Sequence, residues 1–417
     1  MADRHIRLPR WEACLYAFAA SCATLVLELI AGRLLSPHIG SSLYTWTSII
    51  GVVLLGISLG NWVGGRVADS RASIRVVAGL FLLGALLSLW AIVFAAALGD
   101  GSAVRGIPLL PRIFVLTLIG FLPSSFILGM ITPVVIRLAL GDIRNTGRVV
   151  GMVYALGTLG SLVGNFLTGF VLVAHLPANA IILTVVVACV LLGAYGLARG
   201  RLVAPVAGAA PSPATDDPPT ERSSAGPLSL GGNLPLACAI VFAASFCSMA
   251  LELAASRIMA PWVGISLYSW TGIIGIVLAG ITLGNYLGGW IADRTARQWV
   301  LGLTVFLGGL GCLSVLVAVQ IAPVWGTIAQ LGLMARVVAL TAALFFIPVL
   351  ILGAVSPQVI RLAVKDVAGA GGVAGRVYAW STAGAILGTF TTGWVLISAL
   401  GVYALVFAVG CLLVALG

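Results

Sequence analysis

Apolar residues run in blocks of about 20 along nearly the whole chain, the length an α-helix needs to cross the hydrocarbon core of a bilayer. Six blocks occupy the first half, roughly Trp11 to Leu35, Leu43 to Val67, Val76 to Leu98, Ile113 to Ile136, Val149 to Ala174 and Ala178 to Leu197. Six more follow, roughly Leu234 to Met259, Leu267 to Ile291, Trp299 to Ala322, Val337 to Ile360, Val373 to Leu400 and Val402 to Leu416. Between the two sets, Gly200 to Gly232 loses this pattern and is rich in proline, serine and acids, which reads as a flexible linker. The pattern therefore predicts an all-α integral membrane protein of about 12 spans. A six-helix unit over 1–199 and another over 233–417 flank a linker over 200–232.

The two units are copies in a constant register of 224 residues. Between Glu28 and Asp69, 25 of 42 positions are identical to their partners between Glu252 and Asp293. The same offset carries Pro133 onto Pro357, Tyr154 onto Tyr378, and Gly160 and Gly164 onto Gly384 and Gly388. An even number of spans separates the copies, so they insert the same way up, as parallel repeats about an axis along the membrane normal. Gly417 matches Gly193, four residues before the end of the sixth block, so the last helix is expected to be short. That helix is expected to be tilted or thinly anchored, or the chain to be cut from a longer parent.

Composition agrees with lipid as the main solvent. Hydrophobic residues make up 61% of the chain and charged residues 8%, too few to cover a soluble globule. The net charge of +10 acts as a topology signal, and no basic patch interleaved with exposed aromatics points to nucleic acid. With the N-terminus in the cytoplasm, 17 of the 22 basic residues fall on the cytoplasmic side. Both termini and the linker are then expected there, in an inner or plasma membrane. The seven cysteines show no metal-ligand spacing, and neither a metal site nor a cofactor cradle is expected.

Candidate chemistry concentrates in the repeated positions. Glu28 and Glu252 each lie inside an apolar span about seven residues from its outer end, about 10 Å deep at 1.5 Å per residue. A buried charge there costs roughly 2.5 to 3.5 kcal/mol, so each acid should face the bundle interior, either binding a proton or cationic solute or locking helices together. Arg33 and Arg257 follow at i+5, rotated by about 140° and poorly placed to pair within the helix. They either snorkel to headgroups or meet an acid of a neighbouring helix or an anionic ligand. Tyr44, Trp46, Tyr268 and Trp270 open the second and eighth spans, as an interfacial aromatic belt or a cation-binding box. Asn61 and Asn285 sit beside glycines four apart, a pattern for close packing with an interhelical hydrogen bond.

The strings GGRVADSR (Gly64 to Arg71) and GGWIADRTAR (Gly288 to Arg297) resemble the cytoplasmic loop motif of the major facilitator superfamily, with Ala72 and Ala296 in place of its second glycine. More closely, ELxxxR, SPHIGSSLYTWT, GISLGNWVGGRVAD and GMITPVVIRL resemble the membrane region of the fused facilitator/spermidine-synthase-like integral membrane proteins, over nearly the whole chain outside the linker. The resemblance implies a major-facilitator-like fold with a central cavity lined by the first helix of each half. It also implies a cytoplasmic gate at Asp69 and Asp293, with arginines such as Arg148 or Arg376 as partners. The soluble synthase domain that commonly follows in that family has no counterpart here, so enzymatic activity is not expected. Two functions remain in view. One is a transporter that moves a polyamine-like or other cationic solute. The other is a non-transporting membrane subunit that anchors or feeds a cytoplasmic or membrane partner.

Overall fold

A computed structural model describes residues 8–99, 106–139, 146–202, 234–295, 297–321, 328, 330–363 and 370–417. The expected linker lies almost wholly outside them. All regular structure among the described residues is helical. The first half contains α1 (Arg10–Ile39), α2 (Leu43–Arg71), α3 (Ile74–Ala97), α4 (Leu109–Gly129), α5 (Ile131–Ala139), α6 (Thr146–Phe166), α7 (Val173–His175) and α8 (Ala178–Leu202). The second contains α9 (Leu234–Val263), α10 (Leu267–Arg294), α11 (Gln298–Ile321), α12 (Leu333–Thr341), α13 (Ile347–Gly353), α14 (Val355–Ala363), α15 (Ala370–Thr391), α16 (Ile397–Leu400) and α17 (Val402–Leu416).

Among the described residues, eleven helical stretches are long and apolar enough to cross a membrane, and α17, with 15 residues, is a shorter twelfth apolar helix. The chain is thus an all-α integral membrane protein built from two parallel six-helix repeats. Its paired breaks have a common cause. Gly40 and Gly264 adopt φ of 70° and 71°, a left-handed conformation open to glycine, and they end α1 and α9. Ser42 and Ser266 then cap α2 and α10 by accepting hydrogen bonds from the amides of Thr45 and Ser269. The fourth and tenth spans break at Met130 and Ala354, because Pro133 and Pro357 have no N–H to donate to the carbonyls of Gly129 and Gly353 four residues back. In the fifth and eleventh spans the helix widens to π geometry over Leu167–Leu172 and Thr392–Leu396.

Small residues let the spans approach closely, as bilayer packing favours. A side chain at Gly60 or Gly284 would strike the carbonyl oxygen of Phe126 or Leu350, which fixes α2 on α4 and α10 on α13. Gly160 and Gly164 face the backbone of Phe18 and Cys22, and Gly384 and Gly388 face that of Phe242 and Phe246. The halves meet through crossed pairs. Gly169 lies against Thr271, and its partner Gly393 lies against Thr47. Hydrogen bonds join them as well, from the Asn165 Nδ2 to the Thr271 carbonyl at 2.7 Å and between the Tyr44 and Ser398 hydroxyls at 3.0 Å.

Candidate functional site

On α1, Ser21, Thr24, Leu25 and Glu28 are spaced i, i+3, i+4 and i+7, and so form a single helix face. On α9, Ser245, Ser248, Met249 and Glu252 repeat it. The first three residues of each set line a cavity, of about 210 Å³ in the first half and about 190 Å³ in the second. The glutamates continue the same stripes one turn, about 6 Å, toward the end of the bundle that carries Gly40 and Gly264. Each keeps only 7% of its surface exposed, and among the described residues neither carboxyl has a hydrogen bond or ion pair. An acid that locked two helices together would have such a partner.

Beyond the glutamates the bundle is shut. Leu25, Leu29, Leu43, Trp46 and Ile50 pack with Leu253, Trp270 and Ile274 into one buried cluster that bridges the halves. At its centre Trp46 and Trp270 stack with ring centroids 4.8 Å apart. Both indoles are buried, so they form neither a lipid-facing belt nor an open cation box. Tyr44 and Tyr268 are half-buried beside them. The Tyr44 hydroxyl lies 3.0 Å from that of Ser398, and the Tyr268 ring stacks on Phe170 at 6.4 Å.

Arg33 is exposed near the outer end of α1, and its Nη1 donates to the Val173 carbonyl at 3.0 Å, which Pro177 four residues on has no N–H to occupy. Arg257 lines a narrow crevice with Ser256, Gly264, Ser269 and Trp270. Asn61 and Asn285 line the two cavities instead of bridging helices, and neither makes a hydrogen bond among the described residues.

At the opposite end of the bundle, Asp293 Oδ1 is 3.8 Å from Nε of Arg361, and both side chains are exposed. This corrects the expected partner Arg376. Arg361 sits in the last turn of α14, which abuts α10, whereas Arg376 lies on α15, which packs chiefly on α9. Asp69 is exposed with no ion pair among the described residues, and the side chain of Arg148 lies outside them.

Two groups escaped the sequence reading. Tyr154 and Tyr378 stack on each other at 6.5 Å and line the two cavities, one each. Their signal was the 224-residue register, which served only to align the halves. Glu12, fully buried, accepts hydrogen bonds from Arg199 at 2.7 Å and Tyr195 at 3.3 Å. It has no copy in the second half, where Leu236 takes its position, so the repeat did not expose it.

Two crystal structures align with this arrangement. A POT family transporter in complex with a thioalcohol-conjugated peptide superposes with a TM-score of 0.58 at 15% identity, over 98% of this chain and 94% of its own. The in meso structure of the POT family transporter PepTSo gives a TM-score of 0.58 at 14% identity, over 98% and 96%. The fold is that of POT family transporters. Among curated proteins, polyamine aminopropyltransferases 2 and 1 of Ralstonia nicotianae are each 35% identical over 158 residues, which is 38% of this chain. The match takes in less than a third of the length of either relative, 29% and 28%. No protein-family model matches the chain.

Proposed function

We propose that the chain is a secondary transporter that moves a small cationic solute of the polyamine kind by alternating access. Units 1–199 and 233–417 rock about the central cavity while 200–232 tethers them. One observation carries this reading: Glu28 and Glu252 occupy matched positions with no partner among the described residues, each one turn beyond a cavity whose mostly apolar wall carries serine, asparagine and tyrosine side chains. Intramembrane acids that face a bundle interior mark solute or proton pathways. Two acids, with no basic residue lining either cavity among the described residues, favour positive charge. The polyamine class is supported by the name of the curated relatives and by the resemblance of the membrane helices.

The positive-inside rule puts the Asp69 end and both termini in the cytoplasm. The shut Trp46–Trp270 end then faces outward, and the form described is inward-facing. Asp69 and Asp293, the latter with Arg361, act at the inner gate. A non-transporting anchor would have fixed the glutamates on arginines, yet Arg33 is spent on the Val173 carbonyl.

The test is flux of a linear di- or triamine into proteoliposomes, with and without a pH gradient, for wild type, Glu28→Gln, Glu252→Gln and the double variant. Glutamine keeps the shape and removes the charge, so each single variant should lose at least ten-fold in uptake while staying folded. Equal flux through all four would remove the glutamates from the mechanism. No flux of any amine through wild type would favour the anchoring reading.

A further inference from the structure

Tyr154 and Tyr378 are symmetry partners in the repeat, and their ring planes are nearly parallel, tilted 12° apart, with centroids 6.5 Å apart. Both are about half exposed, 48% and 56%, although each belongs to a membrane-spanning helix. Each ring also lines a cavity, so part of that exposed surface faces the cavity. Tyr154 lines the cavity of the first half and Tyr378 that of the second, and the pair therefore divides them.

The cavity walls are mostly apolar, and the polar side chains in them are neutral. Thr24, Asn61 and Ser161 line one side and Ser248, Asn285 and Ser356 the other, all neutral side chains that offer oxygen acceptors. The faces of aromatic rings carry negative potential and attract cations within roughly 6 Å of the centroid. A point midway between the two centroids, 6.5 Å apart, is about 3 Å from each, within the range over which an aromatic ring attracts a cation. Among the described residues, no basic side chain in either cavity wall would meet an anion.

We propose that Tyr154 and Tyr378 form an ammonium-binding slot on the twofold axis of the repeat, distinct from the glutamate site and nearer the Asp69 end. The ligand class is a primary alkylammonium. Its cationic group lies between the rings, and its N–H groups donate to the hydroxyl and amide oxygens on either side. For a linear amine with more than one charge, the remaining ammonium groups enter the flanking cavities and lead on to Glu28 and Glu252. The inference rests on the transporter reading for the direction of travel alone, and the slot stands or falls on binding.

The experiment is equilibrium binding of 1,4-diaminobutane and its neutral analogue 1,4-butanediol to the purified full chain. The variants are Tyr154→Phe, Tyr154→Leu, Tyr378→Leu and the Glu28→Gln/Glu252→Gln double, each checked for melting temperature. Phenylalanine keeps the ring face, so Tyr154→Phe should bind the diamine within about two-fold of wild type, whereas either leucine variant should lose about ten-fold. The double glutamine variant should retain a diamine affinity that Tyr154→Leu, added to it, again weakens. Leucine variants that bind like Tyr154→Phe, or butanediol bound as tightly as the diamine, would overturn the slot and leave the glutamate reading intact. Flux indifferent to both glutamines with ring-sensitive binding would overturn the glutamate reading and keep the slot. No amine binding to wild type would overturn both.

Discussion

Trp46 and Trp270, 224 residues apart in the chain, stack at 4.8 Å where the two halves meet, and so close one end of the bundle with a residue and its own repeat copy. Tyr154 and Tyr378 meet in the same way toward the other end, at 6.5 Å, but remain half exposed. One axis thus carries two aromatic pairs in different states, a sealed one and an accessible one. Alternating access would exchange those states.

The sealed pair makes a specific demand. Trp46→Ala removes a buried indole from a cluster shared by both halves, and large-to-small changes of this kind cost about 3 kcal/mol. Its melting temperature in detergent should fall, and solvent accessibility at Ser256, probed as Ser256→Cys by a thiol reagent added from the Gly40 side, should rise. A variant with unaltered melting and labelling would show that the stack does not seal that end.

Glycine contacts separate packing from mere composition. Gly60→Ala forces a methyl group against the Phe126 carbonyl and should lower stability by about 1 to 3 kcal/mol. Gly65, five residues on, has open space where its side chain would be, so Gly65→Ala should be neutral or stabilising by up to about 1 kcal/mol. Thermal melts of the two variants side by side decide it, and equal shifts would count against the close approach of α2 and α4.

Glu12 predicts an asymmetry between the halves. Arg199→Leu leaves a fully buried carboxylate without its strongest partner, so the melting temperature should drop by several degrees. Glu12→Leu combined with Arg199→Leu should recover most of the loss, because an apolar pair replaces a broken ionic one. Failure of the double variant to recover would mean that the residues act separately.

Asp293 predicts a contrast between stability and transport. Its contact with Arg361 is exposed and 3.8 Å long, and surface pairs of this kind contribute at most about 1 kcal/mol. Asp293→Asn should therefore melt within a degree or two of wild type, and Asp69→Asn likewise. If the two acids gate the inner end as proposed, amine flux in the same variants should fall at least five-fold. Unchanged flux would leave these positions as solvated helix ends.

Spans, register and the matched glutamates were all legible in the sequence, because each follows from local patterning. Lipid demands about 20 apolar residues per crossing, a gapless duplication preserves every offset, and an acid inside an apolar run is conspicuous. The glycines also spoke plainly, since close backbone approach leaves few alternatives. The partners were decided in three dimensions. Nothing local says that Trp46 would meet its own copy, that Arg33 would reach a carbonyl 140 residues away, or that Asp293 would find Arg361. Those contacts depend on which helix faces cross at the axis and where a proline leaves a carbonyl free. Tyr154 and Tyr378 make the point most sharply. In the sequence they are two tyrosines in apolar spans, and only the docking of one half against the other brings their rings together at the seam.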